Sequence, residues 1–406
     1  MRAKWDYVLL GTGLAPLISA QSLIRQGKSV LILNPDWDFF QEDSELPLDP
    51  FWPLEQESVK PERWKNSQAE PLLELLRPEF PGPVEVFSLQ GDSVSFSKKT
   101  DSSAPHVRIR SRLWVVPEDN STRADAIEQL YVVASDAGIH PQILEGPQVC
   151  KNFPGYSGVM NRDVRGVLLP RVCDVDVKRF RVGLLEFLRE KKENLEIVCG
   201  VSGLELSKEG LRAYLSTTES SGLKNIEISG GLMVFWTPRM TTWIRKIWKD
   251  FDLSSVDLGE GSIQLWEQWN LVSREPVDPS WVAALGDFLV WADFEGAPGR
   301  GWDQLTLLKA GSRVKIESFE SLNLHESWAS QETFSSIERF CGQFLNWDKF
   351  SIRSLKPRAL FHWKYPGTHR IEQDTPSSVP SWLVCGCDGS IQQVIQNAKN
   401  AVELVS

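Results

Sequence analysis

Apolar and polar residues alternate in recognisable periods along this chain, and the first sixty residues already show two of them. Residues 5–10 are a short apolar run, residues 14–26 place Leu14, Leu17, Ile18 and Leu23 at helical spacing, and Ser29–Leu33 is a second apolar run. A short continuous apolar run reads as a strand buried on both faces, and apolar positions three or four apart as one face of a helix. The segment therefore predicts a β-α-β unit. Eight prolines between Pro47 and Pro83 then argue for extended excursions and short helices, because proline removes a backbone donor and fixes φ.

Further on, Val84–Phe87, Val94–Ser97, His106–Arg110 and Leu113–Val116 have strand character, and Thr122–Gly138 reads as a helix with Leu130, Val133 and Ala134 on its apolar face. An amphipathic helix is predicted over Val177–Lys191. It is followed by strand Glu196–Val201, an alternating strand Leu211–Thr217, a polar turn around Ser220–Lys224, strand Ile226–Ser229 and the apolar run Gly231–Trp236. Strands follow over Ile263–Val272, Asp287–Phe294 and Gln304–Leu308, the last continuing to Val314–Ser318, with a helix over about Gln331–Asn346. The chain closes with a strand and turn in Ser381–Ser390 and a helix from Ile391 to Val405.

Composition narrows the function classes. The 406 residues and 41% hydrophobic content suffice for two domains with a sizeable core. A net charge of -10 gives no electrostatic reason to expect nucleic acid or anionic lipid as a partner. No stretch approaches the roughly 20 apolar residues of a membrane-spanning helix, and strand character from Trp5 leaves no room for a signal peptide, so a cytoplasmic location is expected. The six cysteines (150, 173, 199, 341, 385 and 387) and five histidines show no metal-ligand spacing. No metal is expected, and the cysteines are expected as free thiols. Seventeen tryptophans fill a core or line an aromatic pocket.

Candidate chemistry begins at Leu10-Gly-Thr-Gly-Leu-Ala-Pro16. A glycine-rich turn between a strand and a helix suits a diphosphate: one glycine permits the tight turn, the next permits backbone approach, and the helix N-terminus offers amides and a positive dipole end. Counting along this unit, Gly11, Gly13, Ala20, Leu23, Gly27 and Val30 fit the dinucleotide pattern, while Pro16 and Asn34 depart from it. Proline in a first helical turn costs little. Asn34 replaces the acidic residue that accepts the ribose hydroxyls; its amide can still accept a hydrogen bond without the charge, and Asn34→Glu is expected to strengthen binding.

Three separated segments carry a resemblance. The N-terminal unit, Val177–Val201 with the meander to Pro238, and Leu383-Val-Cys-Gly-Cys-Asp-Gly-Ser390 with its following helix together resemble the FAD-binding domain of glutathione-reductase-like flavoproteins, in particular the amine oxidase and D-amino-acid oxidase branch. The resemblance implies an α/β fold whose Rossmann-like FAD-binding domain is assembled from residues 1–50, 175–245 and 355–406, with a second, mixed-sheet α+β substrate domain from 51–174 and 246–354. It implies FAD as cofactor. Gly11, Thr12, Gly13, Leu14 and Ala15 would face the pyrophosphate, Asn34 the adenosine ribose, and Val201, through its backbone, the adenine. Gly386, Asp388, Gly389 and Ser390 would lie against the ribityl chain and isoalloxazine, although Cys387 interrupts the family's Gly-Asp pair. His362, Trp363 and Tyr365 would enclose a substrate, or simply line a core as alternate residues of a strand.

The implied activity is oxidation of a small amine, amino acid or related molecule by hydride transfer to flavin, which needs orientation rather than an acid-base pair. The branch's Arg-x-Gly-Gly-Arg run is absent, with Pro35–Ser44 in its place. Leu10–Leu14 is also similar to the opening of the Rab GDP-dissociation inhibitor and Rab escort family, which keeps this architecture without flavin catalysis. The alternative reading is therefore a non-catalytic scaffold recognising a peptide or protein partner.

Overall fold

A computed structural model describes residues 4–11, 13–34, 84–87, 93–95, 107–117, 121–136, 140–152, 164–191, 193–207, 210–216, 221–236, 262–273, 281–285, 288–292, 303–315, 350–352, 358–363, 368–370, 382–386 and 391–405. Along the chain the first elements are β1 (Lys4–Leu10), α1 (Leu14–Arg25), β2 (Val30–Leu33), β3 (Val84–Phe87), β4 (Ser93–Ser95) and β5 (Val107–Pro117). Then come α2 (Ser121–Asp136), β6 (Gln142–Glu145), α3 (Gly146–Asn152), β7 (Val164–Val175), α4 (Val177–Glu190), β8 (Leu195–Val198), β9 (Val201–Ser207), β10 (Gly210–Ser216) and β11 (Ser221–Trp236). The remainder supplies β12 (Ser262–Ser273), β13 (Trp281–Leu285), β14 (Phe288–Ala292), β15 (Asp303–Lys315), β16 (Phe350–Ile352), β17 (Arg358–Trp363), β18 (Thr368–Arg370), β19 (Trp382–Gly386) and α5 (Ile391–Val405).

These strands form two sheets. The first runs β18-β19-β11-β1-β2-β8, parallel from β19 to β8, with β18 antiparallel at one edge and the β9-β10 meander attached to β11. The expected β-α-β start is its centre. Tyr7 and Leu9 of β1, Val30 and Ile32 of β2, and Met233 and Phe235 of β11 share one core with α1, α4 and α5. The alternate residues Val8, Leu10, Leu31, Leu33, Leu232 and Val234 are equally inaccessible to solvent. Burial on both faces explains why these strands read as continuous apolar runs, as parallel strands do. The result is the expected α/β, Rossmann-like architecture.

Helix α1 stops where the sequence requires it. Gly27 takes φ 78°, and the Lys28 amide donates to the Leu23 carbonyl at 3.1 Å, the reversal that ends a helix with glycine just beyond it. Helix α5 packs along α1. It is tied there by Ser19 Oγ donating to the Ala398 carbonyl at 3.1 Å and by the Tyr7 hydroxyl donating to the Val405 carbonyl at 2.9 Å.

The second sheet runs β16-β12-β15-β14-β13-β5-β3-β4, with β17 paired to β12 and β7 to β5 and β6. It is mixed: β5 is parallel to β3 and β13 and antiparallel to β7. Two expected breaks are absent. Strand β5 continues through Ser111 and Arg112, because the Arg112 guanidinium lies 4.5 Å above the Trp114 ring inside the protein, so a charged residue interrupts the apolar pattern without interrupting the strand. Strand β11 likewise includes Ser221–Lys224, which pair with β10 rather than turn. Residues 164–175 form a twelve-residue strand that periodicity did not predict, since Pro170 and two arginines mask it. The expected helix over 331–346 and the proline-rich stretch before Pro83 lie outside the described residues.

Candidate nucleotide site

The ladder of the first sheet brings together residues far apart in sequence. Leu10 is level with Leu33 on one side and Val234 on the other, Leu33 is level with Val198, and Val234 with Val384. One residue later these strands reach Gly11, Asn34, Cys199, Phe235 and Cys385, a row along the carboxyl edge. Gly386 stands opposite Trp236 one step beyond. Val201 joins them because its amide donates to the Asn34 carbonyl at 3.1 Å. Four sequence-predicted residues, Gly11, Asn34, Val201 and Gly386, thus share one edge. Strand β1 has β2 on one side and β11 on the other, so this edge is a topological switch point, where open α/β sheets bind ligands.

The turn after β1 is built for close approach. Gly11 donates to the Leu33 carbonyl at 3.2 Å. A Cβ placed on it would lie 2.8 Å from Phe235 Cβ and 3.3 Å from the Phe235 carbonyl, so only glycine lets β1 leave the sheet beside β11. Gly13 is the N-cap of α1, with φ 82° and ψ -157°, a conformation L side chains avoid. Having no side chain, Gly13 cannot cap the helix or cover Leu14 and Ala15. Pro16 is the third residue of α1 and is buried. Its missing amide belongs to the first turn, where no intrahelical acceptor exists, and the helix continues unbroken to Arg25. A tight glycine turn that leads straight into the positive end of a helix dipole is the arrangement that suits a diphosphate.

Asn34 directly follows β2 and is wholly buried, at 0% exposure. Its amide N–H donates to the Val198 carbonyl at 2.8 Å, its carbonyl accepts from Val201, and Nδ2 donates to Cys199 Sγ at 4.0 Å. Cys199, a half-buried cysteine in no disulfide, was not anticipated as part of this edge; its signal is only that it follows the last residue of a strand level with β2.

The other predicted residues separate. His362 and Trp363 belong to β17 in the second sheet, opposite Gln264 and Ile263 of β12. Thr12, Tyr365, Asp388, Gly389 and Ser390 lie outside the described residues. Among the described residues no group of histidine, cysteine and carboxylate side chains could hold a metal ion, and no helix is long and apolar enough to cross a membrane.

No protein-family model and no curated protein sequence matches the chain. Solved structures do. NikD, an amino acid oxidase essential for nikkomycin biosynthesis, superposes with a TM-score of 0.66 over 100% of this chain and 94% of its own, at 14% identity. L-proline dehydrogenase from P. horikoshii gives 0.63 over 100% and 94%, at 10% identity. L-alpha-glycerophosphate oxidase from Mycoplasma pneumoniae, solved with FAD bound, gives 0.63 over 100% and 95%, at 12% identity. The chain shares the α/β fold of these enzymes.

Proposed function

We propose that this protein binds FAD non-covalently along the carboxyl edge of its parallel sheet and oxidises a small amine, amino acid or related substrate. The observation that carries the reading is the convergence of the Gly11–Gly13 turn, the start of α1 and Gly386 at a switch point of this fold. In the proposal, Gly11, Thr12, Gly13, Leu14 and Ala15 front on the pyrophosphate and Val201 on the adenine. Gly386, Asp388, Gly389 and Ser390 front on the ribityl chain and ring. Bound FAD supplies the hydride acceptor. The chain's own residues then have to hold the substrate's C–H bond in line and keep water out. His362, Trp363 and Tyr365 are the residues proposed to enclose the substrate.

The FAD domain is proposed to comprise residues 1–50, 175–245 and 355–406. Strand β17 falls within the last of these segments yet pairs with β12, which makes 358–363 the stretch where that segment meets the second sheet.

The absorption spectrum of freshly purified protein tests the reading. Flavin bands, release of FAD on denaturation, and anaerobic bleaching of those bands by a panel of amines and amino acids are the expected results. A second reading, a scaffold without cofactor that recognises a peptide or protein, is favoured by the inward-turned Asn34. Colourless protein that takes up no added FAD would overturn the flavin reading and favour this one.

A further inference from the structure

We infer that Asn34 is a positioning residue that locks the corner between β2, β8 and β9, and that recognition of the ribose does not pass through it. The inference rests on the nucleotide reading above and refines it at one contact. The residue at the end of β2 is where a dinucleotide fold usually reads the ribose with a carboxylate.

Here that residue has other work. Its side chain has no exposed surface. Its amide closes the β2-β8 ladder one residue past Leu33, and its carbonyl holds the first residue of β9 through the Val201 amide. Its side-chain amide points at Cys199, in the two-residue link between β8 and β9. To meet a ribose, Asn34 would have to leave the interior and release Cys199. That movement loosens the link placing Val201, the residue proposed to face the adenine. A lock made of an amide and a thiol is neutral, so it can be buried without the penalty a carboxylate would meet in this position. A charged residue at 34 therefore destabilises the corner rather than improving ribose recognition.

The test is a binding cycle read by calorimetry, with ADP and 2′,3′-dideoxy-ADP titrated into the cofactor-free protein as wild type, Asn34→Ala and Asn34→Asp. Thermal unfolding is followed in parallel. A lock predicts that both variants melt lower and bind ADP more weakly. The ratio of ADP to dideoxy-ADP affinity then stays within about twofold of wild type in each. Cys199→Ala also lowers the melting temperature and leaves the ratio alone. The inference is overturned if Asn34→Ala melts like wild type and abolishes a preference for ADP, or if Asn34→Asp raises that preference about tenfold, as a charged acceptor for the hydroxyls would. Should Asn34→Ala fail to fold, the isosteric Asp variant and Cys199→Ala still give the ratio. Wild type that binds neither nucleotide overturns the nucleotide reading itself and this refinement with it, an outcome distinct from an altered ratio.

Discussion

Gly13 combines a positive-φ backbone conformation with the N-cap position of α1. Its φ of 82° makes any side chain strained, at a cost on the order of 1–3 kcal/mol, and a branched one is bulkiest where the backbone would have to approach a diphosphate. Gly13→Val is therefore expected to lower the melting temperature and to leave purified protein without flavin, measured by fluorescence after denaturation. Flavin content equal to wild type would remove this turn from the cofactor site.

Asp6 works at the opposite, amino edge of the sheet. It accepts from the Ser29 amide and Ser29 Oγ, both at 2.8 Å, and from Ser229 Oγ at 3.0 Å, joining β1 to the start of β2 and to β11. The Ser29 backbone amide foremost, against an opposing effect of burial, holds the Asp6 carboxyl below its ordinary 3.8. A folded value below the unfolded one contributes stability that is present above 3.8 and lost as pH falls through the lower folded value. Thermal unfolding across an acid series should show this loss, and Asp6→Asn should flatten that part of the profile.

Among the elements, α5 depends most plainly on contacts outside itself. It buries Val394, Ile395, Ala398, Ala401 and Val402 in the shared core, and its last turn has carbonyls with no partner in the helix. The Tyr7 hydroxyl takes one of them, at Val405. Burial first, and the Asp6 charge second, raise the Tyr7 phenol above 10.0, so it remains a donor throughout the neutral range. Tyr7→Phe keeps the ring in the core and deletes this bond, with an expected loss of about 1 kcal/mol in denaturant unfolding. Native-state hydrogen exchange should place the effect in the last turn of α5. Helix α1 shows the converse case: Pro16 is tolerated because the one bond it cannot make is one that a first turn never makes.

The whole molecule assembles its candidate site from residues 11, 34, 201 and 386, a spread that exists only in the folded chain. An unfolded chain holds no such edge, so FAD should bind the native state alone and raise the melting temperature with concentration, by about 2.7 kcal/mol of stability at a hundredfold excess over Kd. A melting temperature indifferent to added FAD, in protein shown to be cofactor-free, would contradict the proposal. The fold alone leaves the substrate open: structures of this shape include an amino acid oxidase, a proline dehydrogenase and a glycerophosphate oxidase. Fold and chemistry are separable.

What could be read without coordinates is what depends on neighbours in sequence. The strand-turn-helix of residues 4–25, the glycines that shape its turn, and the helix 391–405 follow from periodicity and from backbone freedom, which act over a few residues. The tertiary structure decided the rest. It joined 107–117 and 221–236 into single strands across polar residues, because ladder partners supply what the local pattern lacks. It put β17, with His362 and Trp363, beside β12 rather than in the parallel sheet. And it turned Asn34 inward onto Cys199, 165 residues away. Strand pairing and side-chain burial are settled by contacts between segments whose separation along the chain carries no periodic signal, and only the folded chain brings those segments together.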